Sequence, residues 1–129
     1  MSNQQEEKKY VSYSLSFYQK DEDLKQIARA IIEEAPLCNL ITIDRDKRPV
    51  ARAMDAQLPN KDFVVWLATN PLSRKVKQIK RNPKVSLYYI ALNGYSYVLI
   101  KGKAILKNSR KLKEKMMTAA WQPFYPSLD

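Results

Sequence analysis

The chain has no histidine and a single cysteine, and these two shortages remove more chemistry than any one motif adds. Without histidine, the commonest general base and the commonest transition-metal ligand are missing, so zinc, haem and triad-hydrolase chemistry are poorly served and no metal site is expected. Cys38, alone in Leu37-Cys-Asn-Leu-Ile41, excludes an internal disulfide and reads as a small buried hydrophobe. Two glycines in 129 residues leave little room for long flexible or low-complexity loops. No apolar run approaches the ~20 residues that span a bilayer. Met1 to Lys9 is polar and charged, with no apolar signal core. The expectation is a cytoplasmic protein with no membrane partner.

Acidic residues are also scarce beside the bases: 23 Lys and Arg against 13 Asp and Glu give a formal charge of +10. The excess is concentrated. Between Asn70 and Lys84, the charges of Arg74, Lys75, Lys77, Lys80, Arg81 and Lys84 have no acidic neighbour, and Lys101 to Lys115 is opposed only by Glu114. A chain this basic suits nucleic acid, an anionic membrane surface or an anionic small molecule. No helix-turn-helix pattern is present, which weighs against nucleic acid.

With 45% apolar residues, the length supports one domain with a real core. We place that domain at residues 21–129 and leave residues 1–20 as an N-terminal arm of open structure, although Tyr10 to Phe17 alternates partly. Leu24, Ile27, Ala28, Ile31, Ile32 and Ala35 recur at helical spacing, Asp23 and Gln26 are spaced as a capping box, and Pro36 stops the run. Leu37–Ile43 and Val50–Leu58 read as a β-hairpin around the polar turn Asp44–Pro49. Arg52 lies in its second arm between Ala51 and Ala53, on the same face as Met54. Phe63–Leu67 reads as a buried strand, Val85–Ala91 and Tyr95–Leu106 as a hairpin about Asn93-Gly94, and Ser109–Ala120 as a last helix. At least five short strands and two or three helices predict an α+β domain with a small, mainly antiparallel barrel.

One stretch stands out. After Phe63–Leu67, Asn70-Pro71 reads as an N-cap followed by the first turn of a helix ended by Asn82-Pro83. Thr69, Ser73, Arg74 and Lys75 then crowd that helix start. Free N–H groups, the positive end of the helix dipole, two cations and hydroxyls together make an anion pocket. Solvated basic residues on an ordinary capped helix are the alternative reading.

Thr69-Asn70, two variable residues and Ser73-Arg74-Lys75, following a strand, resemble the flavin-phosphate motif of the pyridoxamine 5′-phosphate oxidase-like family. Pro49-Val-Ala-Arg-Ala-Met54 resembles the family's preceding strand, Asn82-Pro-Lys-Val-Ser-Leu-Tyr-Tyr89 its following one, and Tyr97-Val-Leu-Ile-Lys-Gly-Lys-Ala104 the long strand after that. Trp121-Gln-Pro-Phe-Tyr-Pro126 is most similar to the general stress protein branch. The resemblance spans about residues 24 to 126 and implies a split β-barrel with flanking helices, a homodimer, and FMN held at the subunit interface. It also implies that Arg52, Ser73, Arg74 and Lys75 neutralise the phosphate. The main chain of Arg52, Ala53 and Met54 and of Trp66, Leu67, Ala68 and Thr69 would run along the isoalloxazine edge. Trp121 is either a cover for the flavin, a dimer contact or a core aromatic.

The function implied is that of an FMN-dependent oxidoreductase acting on an unidentified small molecule, with no catalytic side chain assignable. Fuller family members continue beyond the region of Pro126, so the oxidase reaction on pyridoxamine phosphate is not expected here. A non-catalytic flavin-binding or sensing protein is the alternative, and a deazaflavin in place of FMN remains open.

Overall fold

The computed structural model describes residues 21–116. The arm assigned to residues 1–20, and Trp121 with the rest of 117–129, lie outside the described residues.

Helix α1 spans Asp21–Glu34 and strand β1 spans Cys38–Ile43. Asp23 is already helical, so the spacing of Asp23 and Gln26 falls within the helix and does not mark its cap. It ends as predicted, with the Ala35 N–H shared between the carbonyls of Ile31 and Ile32 ahead of Pro36. Strand β2, Pro49–Met54, returns antiparallel on β1. Their turn is built by Asp44, whose Oδ1 accepts the N–H groups of Asp46 and Arg48 at 2.9 Å.

Beyond Met54 the chain departs from the pattern its sequence suggests. Val50–Leu58 is not one strand, and Phe63–Leu67 is not a regular one. The two segments form a second, irregular hairpin with a bridge between Ala56 and Leu67 and main-chain bonds from Gln57 N to Trp66 O (3.0 Å) and Asn60 N to Val64 O (3.1 Å). Between these contacts the register slips by one residue, and Pro59, in the outgoing arm, has no N–H to give. A continuous ladder cannot form. The tip repeats the first turn: Asn60 Oδ1 accepts from Asp62 and Val64, and Phe63 occupies the left-handed region (φ 59°) that Lys47 occupies in the other (φ 63°). A bulky residue there is strained. Arg29 of α1 holds it, donating to Pro59 O at 3.0 Å and Asn60 O at 2.6 Å with its guanidinium 4.4 Å from the Phe63 ring centroid.

Helix α2 covers Arg74–Arg81, strand β3 Lys84–Ile90, strand β4 Tyr97–Lys103 and helix α3 Arg110–Met116. The β3–β4 turn is a four-residue loop, Leu92–Tyr95, closed by Ala91 N to Ser96 O (2.9 Å). Gly94 takes the positive φ of 76°. Asn93 Oδ1 accepts from Tyr95 and Ser96. Ser109 caps α3 by accepting Leu112 N at 3.3 Å. The Gln57 side chain ties that helix to the second hairpin by donating to Met116 O.

All pairing in the sheet is antiparallel, in the order β2-β1-β3-β4. The described residues thus give four regular strands, one fewer than expected, because the fifth is the irregular arm. Alternation sorts the faces. Cys38 and Leu40 of β1, Met54 of β2, Leu87 and Tyr89 of β3 and Val98 and Ile100 of β4 point inward with Ile32 of α1 to form the core. The opposite face carries Ile41, Tyr88, Leu99 and Tyr97, the last two well exposed, with the Tyr88 and Tyr97 rings 5.6 Å apart.

Cys38 is 1% exposed and its burial pushes the thiol from an ordinary 9.0 up to about 11. Tyr89, paired opposite it, is raised in the same way, and its hydroxyl has no partner of hydrogen-bonding geometry among the described residues. Between pH 9 and 11 the unfolded chain releases the thiol proton while the folded chain keeps it. Stability must fall as pH rises through that window. Chemical denaturation across it should show a shallower alkaline loss in Cys38→Ala than in the parent, and an equal slope would mean that the buried thiol does not titrate with folding.

Candidate functional site

The site begins with an exception to the inward pattern. Among the inward residues of β1 and β2, Thr42 is a fully buried hydroxyl and Arg52 a half-buried cation. A charge on the core face is costly unless its donors are satisfied. Arg52 Nη1 donates to Thr42 Oγ1 (2.7 Å) and Leu40 O (3.3 Å), and Nη2 donates to Gln78 Oε1 (3.0 Å). Thr42 Oγ1 in turn donates to the same Gln78 oxygen at 2.5 Å. Gln78 comes from α2, which packs on β1 by burying Val76 and Ile79. This triad fastens the helix to the strand that carries Arg52.

The start of α2 differs from the sequence reading. Asn70 is not the N-cap and Pro71 is not the first helical residue: Asn70 Oδ1 accepts Leu72 N (2.8 Å) and its carbonyl accepts Ser73 N (3.0 Å), making a separate turn. Ser73 is the cap residue and Arg74 opens the helix. The cause is local, since an Asn side chain that closes a turn on its own backbone competes with helix initiation. The Ser73 hydroxyl makes no capping bond and lies 3.4 Å from Thr69 Oγ1. The first turn contains no acidic residue, where a carboxylate would normally answer the helix dipole.

Three cations meet here. Burial lowers the Arg52 pKa first, and the charge of Arg74 lowers it further. Burial likewise lowers Lys75, with Arg52 as the second cause. Among the described residues none of the three has a carboxylate within ion-pair distance. Among the described residues the positive charge is thus not ion-paired, and it stands beside the Thr69–Ser73 hydroxyl pair and a helix start, a donor set whose chemistry fits a phosphate dianion.

Of the residues singled out in the sequence, Arg52, Thr69, Ser73, Arg74 and Lys75 come together at this point. Ala53 turns its side chain to the opposite face, while Met54 and Leu67 pack against the core. Trp66 and Ala68 are half-buried in the irregular arm, which runs beside the end of β2 and leads directly to Thr69. Sequence reasoning misses Thr42 and Gln78. The signal for Thr42 is a hydroxyl on the strand face otherwise occupied by Cys38 and Leu40; Gln78 carries none. A depression of about 540 Å³ between Leu24, Ala28, Phe63, Val98 and Ile100 shares no residue with the cation cluster. A smaller one of about 210 Å³ lies beside Arg74 and includes Asp44, Asp46 and Lys77.

The profile of the pyridoxamine 5′-phosphate oxidase family matches residues 24–126. The chain belongs to that family. No curated protein matches the sequence significantly. A protein related to general stress protein 26, of the pyridoxinephosphate oxidase family, from Clostridium acetobutylicum is 26% identical with a TM-score of 0.71, over 85% of this chain and 78% of the other. General stress protein 26 from Bacillus anthracis is 27% identical with a TM-score of 0.65, over 78% and 75%. An F420 reductase shares the fold at 23% identity and a TM-score of 0.54, over 60% of this chain and 61% of that one. The described sheet and helices are thus the α+β, split-barrel fold of these proteins.

Proposed function

We propose that this protein is an FMN-binding flavoprotein of the general stress protein type, working as a homodimer and as an oxidoreductase on a small molecule. The observation that carries the reading is the cluster of Arg52, Arg74 and Lys75 with no carboxylate within ion-pair distance among the described residues. Like charges brought together cost stability unless a ligand compensates them. Lys75 and Arg74 would take the phosphate oxygens from the first helical turn, Ser73 would turn its hydroxyl from Thr69 to the phosphate, and Arg52 would close the cluster from the sheet. Each charge-assisted bond is worth roughly 1.5–3 kcal/mol.

When bound, FMN supplies hydride or electron transfer at its N5. The chain's own part is to bind and orient. The hairpin arm Trp66–Thr69 and the end of β2 offer main-chain groups along one side of the cluster, and the half-buried Trp66 and Leu67 exclude water there. A second subunit suits the outer face of the sheet, where Tyr97 and Leu99 stay exposed and where contiguous apolar surface marks an interaction site.

A visible spectrum of the purified protein, before and after incubation with FMN and desalting, tests the reading. Retained flavin bands near ~450 nm, bleached by NAD(P)H, are the expected result. Bands inert to reductants would favour flavin sensing. A protein that is colourless after incubation with FMN but retains a deazaflavin offered in its place would replace the cofactor while keeping the site.

A further inference from the structure

Arg52 is held by acceptors that are all neutral. The Leu40 carbonyl, the Thr42 hydroxyl and the Gln78 amide oxygen take its Nη protons at 3.3, 2.7 and 3.0 Å. Its Nε–H and second Nη2–H have no protein partner among the described residues. Buried or half-buried arginines are commonly oriented by carboxylates, whose geometry matches the guanidinium fork. A carboxylate here would fix the side chain equally well and cancel its charge. An amide fixes it and leaves the charge in place. The Gln78 oxygen is itself fixed by the buried Thr42 hydroxyl at 2.5 Å, so the acceptor cannot swing away from Arg52 without orphaning a group that is 0% exposed.

We infer that Thr42 and Gln78 are positioning residues that orient Arg52 while keeping its positive charge free for the ligand's phosphate, and so set the preference for a phosphorylated flavin over an unphosphorylated one. The inference rests on the FMN reading above. It concerns the neutrality of the two acceptors, which neither the sequence motif nor the family match addresses. The three residues come from β1, β2 and α2, and only the fold brings them together.

The test compares FMN with riboflavin, which lacks the phosphate, in binding to the full chain and to Gln78→Glu, with thermal stability measured on both. Glutamate is nearly isosteric with glutamine and would pair with Arg52. The expected result is an unchanged or raised Tm, unchanged riboflavin affinity, and FMN affinity about 10- to 100-fold weaker, equal to roughly 1.4–2.8 kcal/mol. Equal weakening of both flavins would show a merely structural role and overturn the inference, as would an undiminished preference for FMN. If the parent protein shows no preference for FMN over riboflavin, the phosphate site itself fails, a distinct outcome read on the parent alone. Thr42→Val covers the case in which Gln78→Glu does not fold. It keeps the shape and the arginine's charge but removes both an acceptor for Arg52 and the donor that fixes the Gln78 oxygen, so FMN should weaken about 10- to 100-fold, the loss of two ordinary hydrogen bonds, with riboflavin unmoved. An unchanged ratio in this variant would again overturn the inference.

Discussion

Alanine at both Arg74 and Lys75 should weaken FMN binding by about 3–6 kcal/mol, on the order of 10²- to 10⁴-fold, from two charge-assisted bonds at roughly 1.5–3 kcal/mol each. The same double substitution should leave the empty protein as stable as before or slightly more so. Both cations stand in the first turn of α2, where positive charge opposes the helix dipole, and both sit near another cation, Arg52. Their removal relieves repulsion. Calorimetric titration with FMN and denaturant unfolding of the apo chain read the two effects separately. Full flavin occupancy in the purified double variant would sink the phosphate assignment. A large loss of stability would mean that the cations serve the fold instead.

Leu87→Ala should destabilise the chain by about 2–5 kcal/mol, the usual cost of emptying a well-packed leucine site. Leu87 stands at the middle of β3, opposite Leu40 of β1 on one side and Ile100 of β4 on the other, and is 8% exposed. Its loss would open the core where the two halves of the sheet join. Since whole domains are stable by only ~5–15 kcal/mol, the variant should show a clearly lower denaturation midpoint. A loss under about 1 kcal/mol would mean that the core can collapse around the gap. Because Leu40 also gives its carbonyl to Arg52, flavin affinity measured at low temperature on the folded variant would report how far β1 shifts.

The elements that repeat a simple period are legible in the amino-acid sequence alone. Helix α1, strands β1, β3 and β4, and the start of α3 lie within a few residues of their predicted bounds, because each buries one regular face and is stopped by a proline, an Asx turn or a cap. The members of the proposed anion pocket are legible for a related reason: Thr69, Ser73, Arg74 and Lys75 are close in sequence and any turn into a helix gathers them. Three expectations fail where side chains outweigh pattern. The residue type of Asn70 suits both a cap and a turn, and its bond to Leu72 N chooses the turn. The apolar run Phe63–Leu67 predicts a strand but does not reveal the slip opposite Pro59. Val50–Leu58 alternates as one strand would, yet the chain leaves β2 after Met54.

By itself, the sequence determined the chemistry available to this protein: no imidazole, one thiol in an apolar segment, a surplus of cations, and a family motif that gathers Ser73, Arg74 and Lys75. Local periodicity and composition are properties of neighbours in the chain, so they can be read from it. Only the tertiary structure decided that Arg52 joins those cations, that Thr42 and Gln78 hold it without neutralising it, and that Arg29 secures the strained tip at Phe63. Those contacts link residues 10 to 34 positions apart, and their geometry depends on strand register and helix placement that no local pattern encodes.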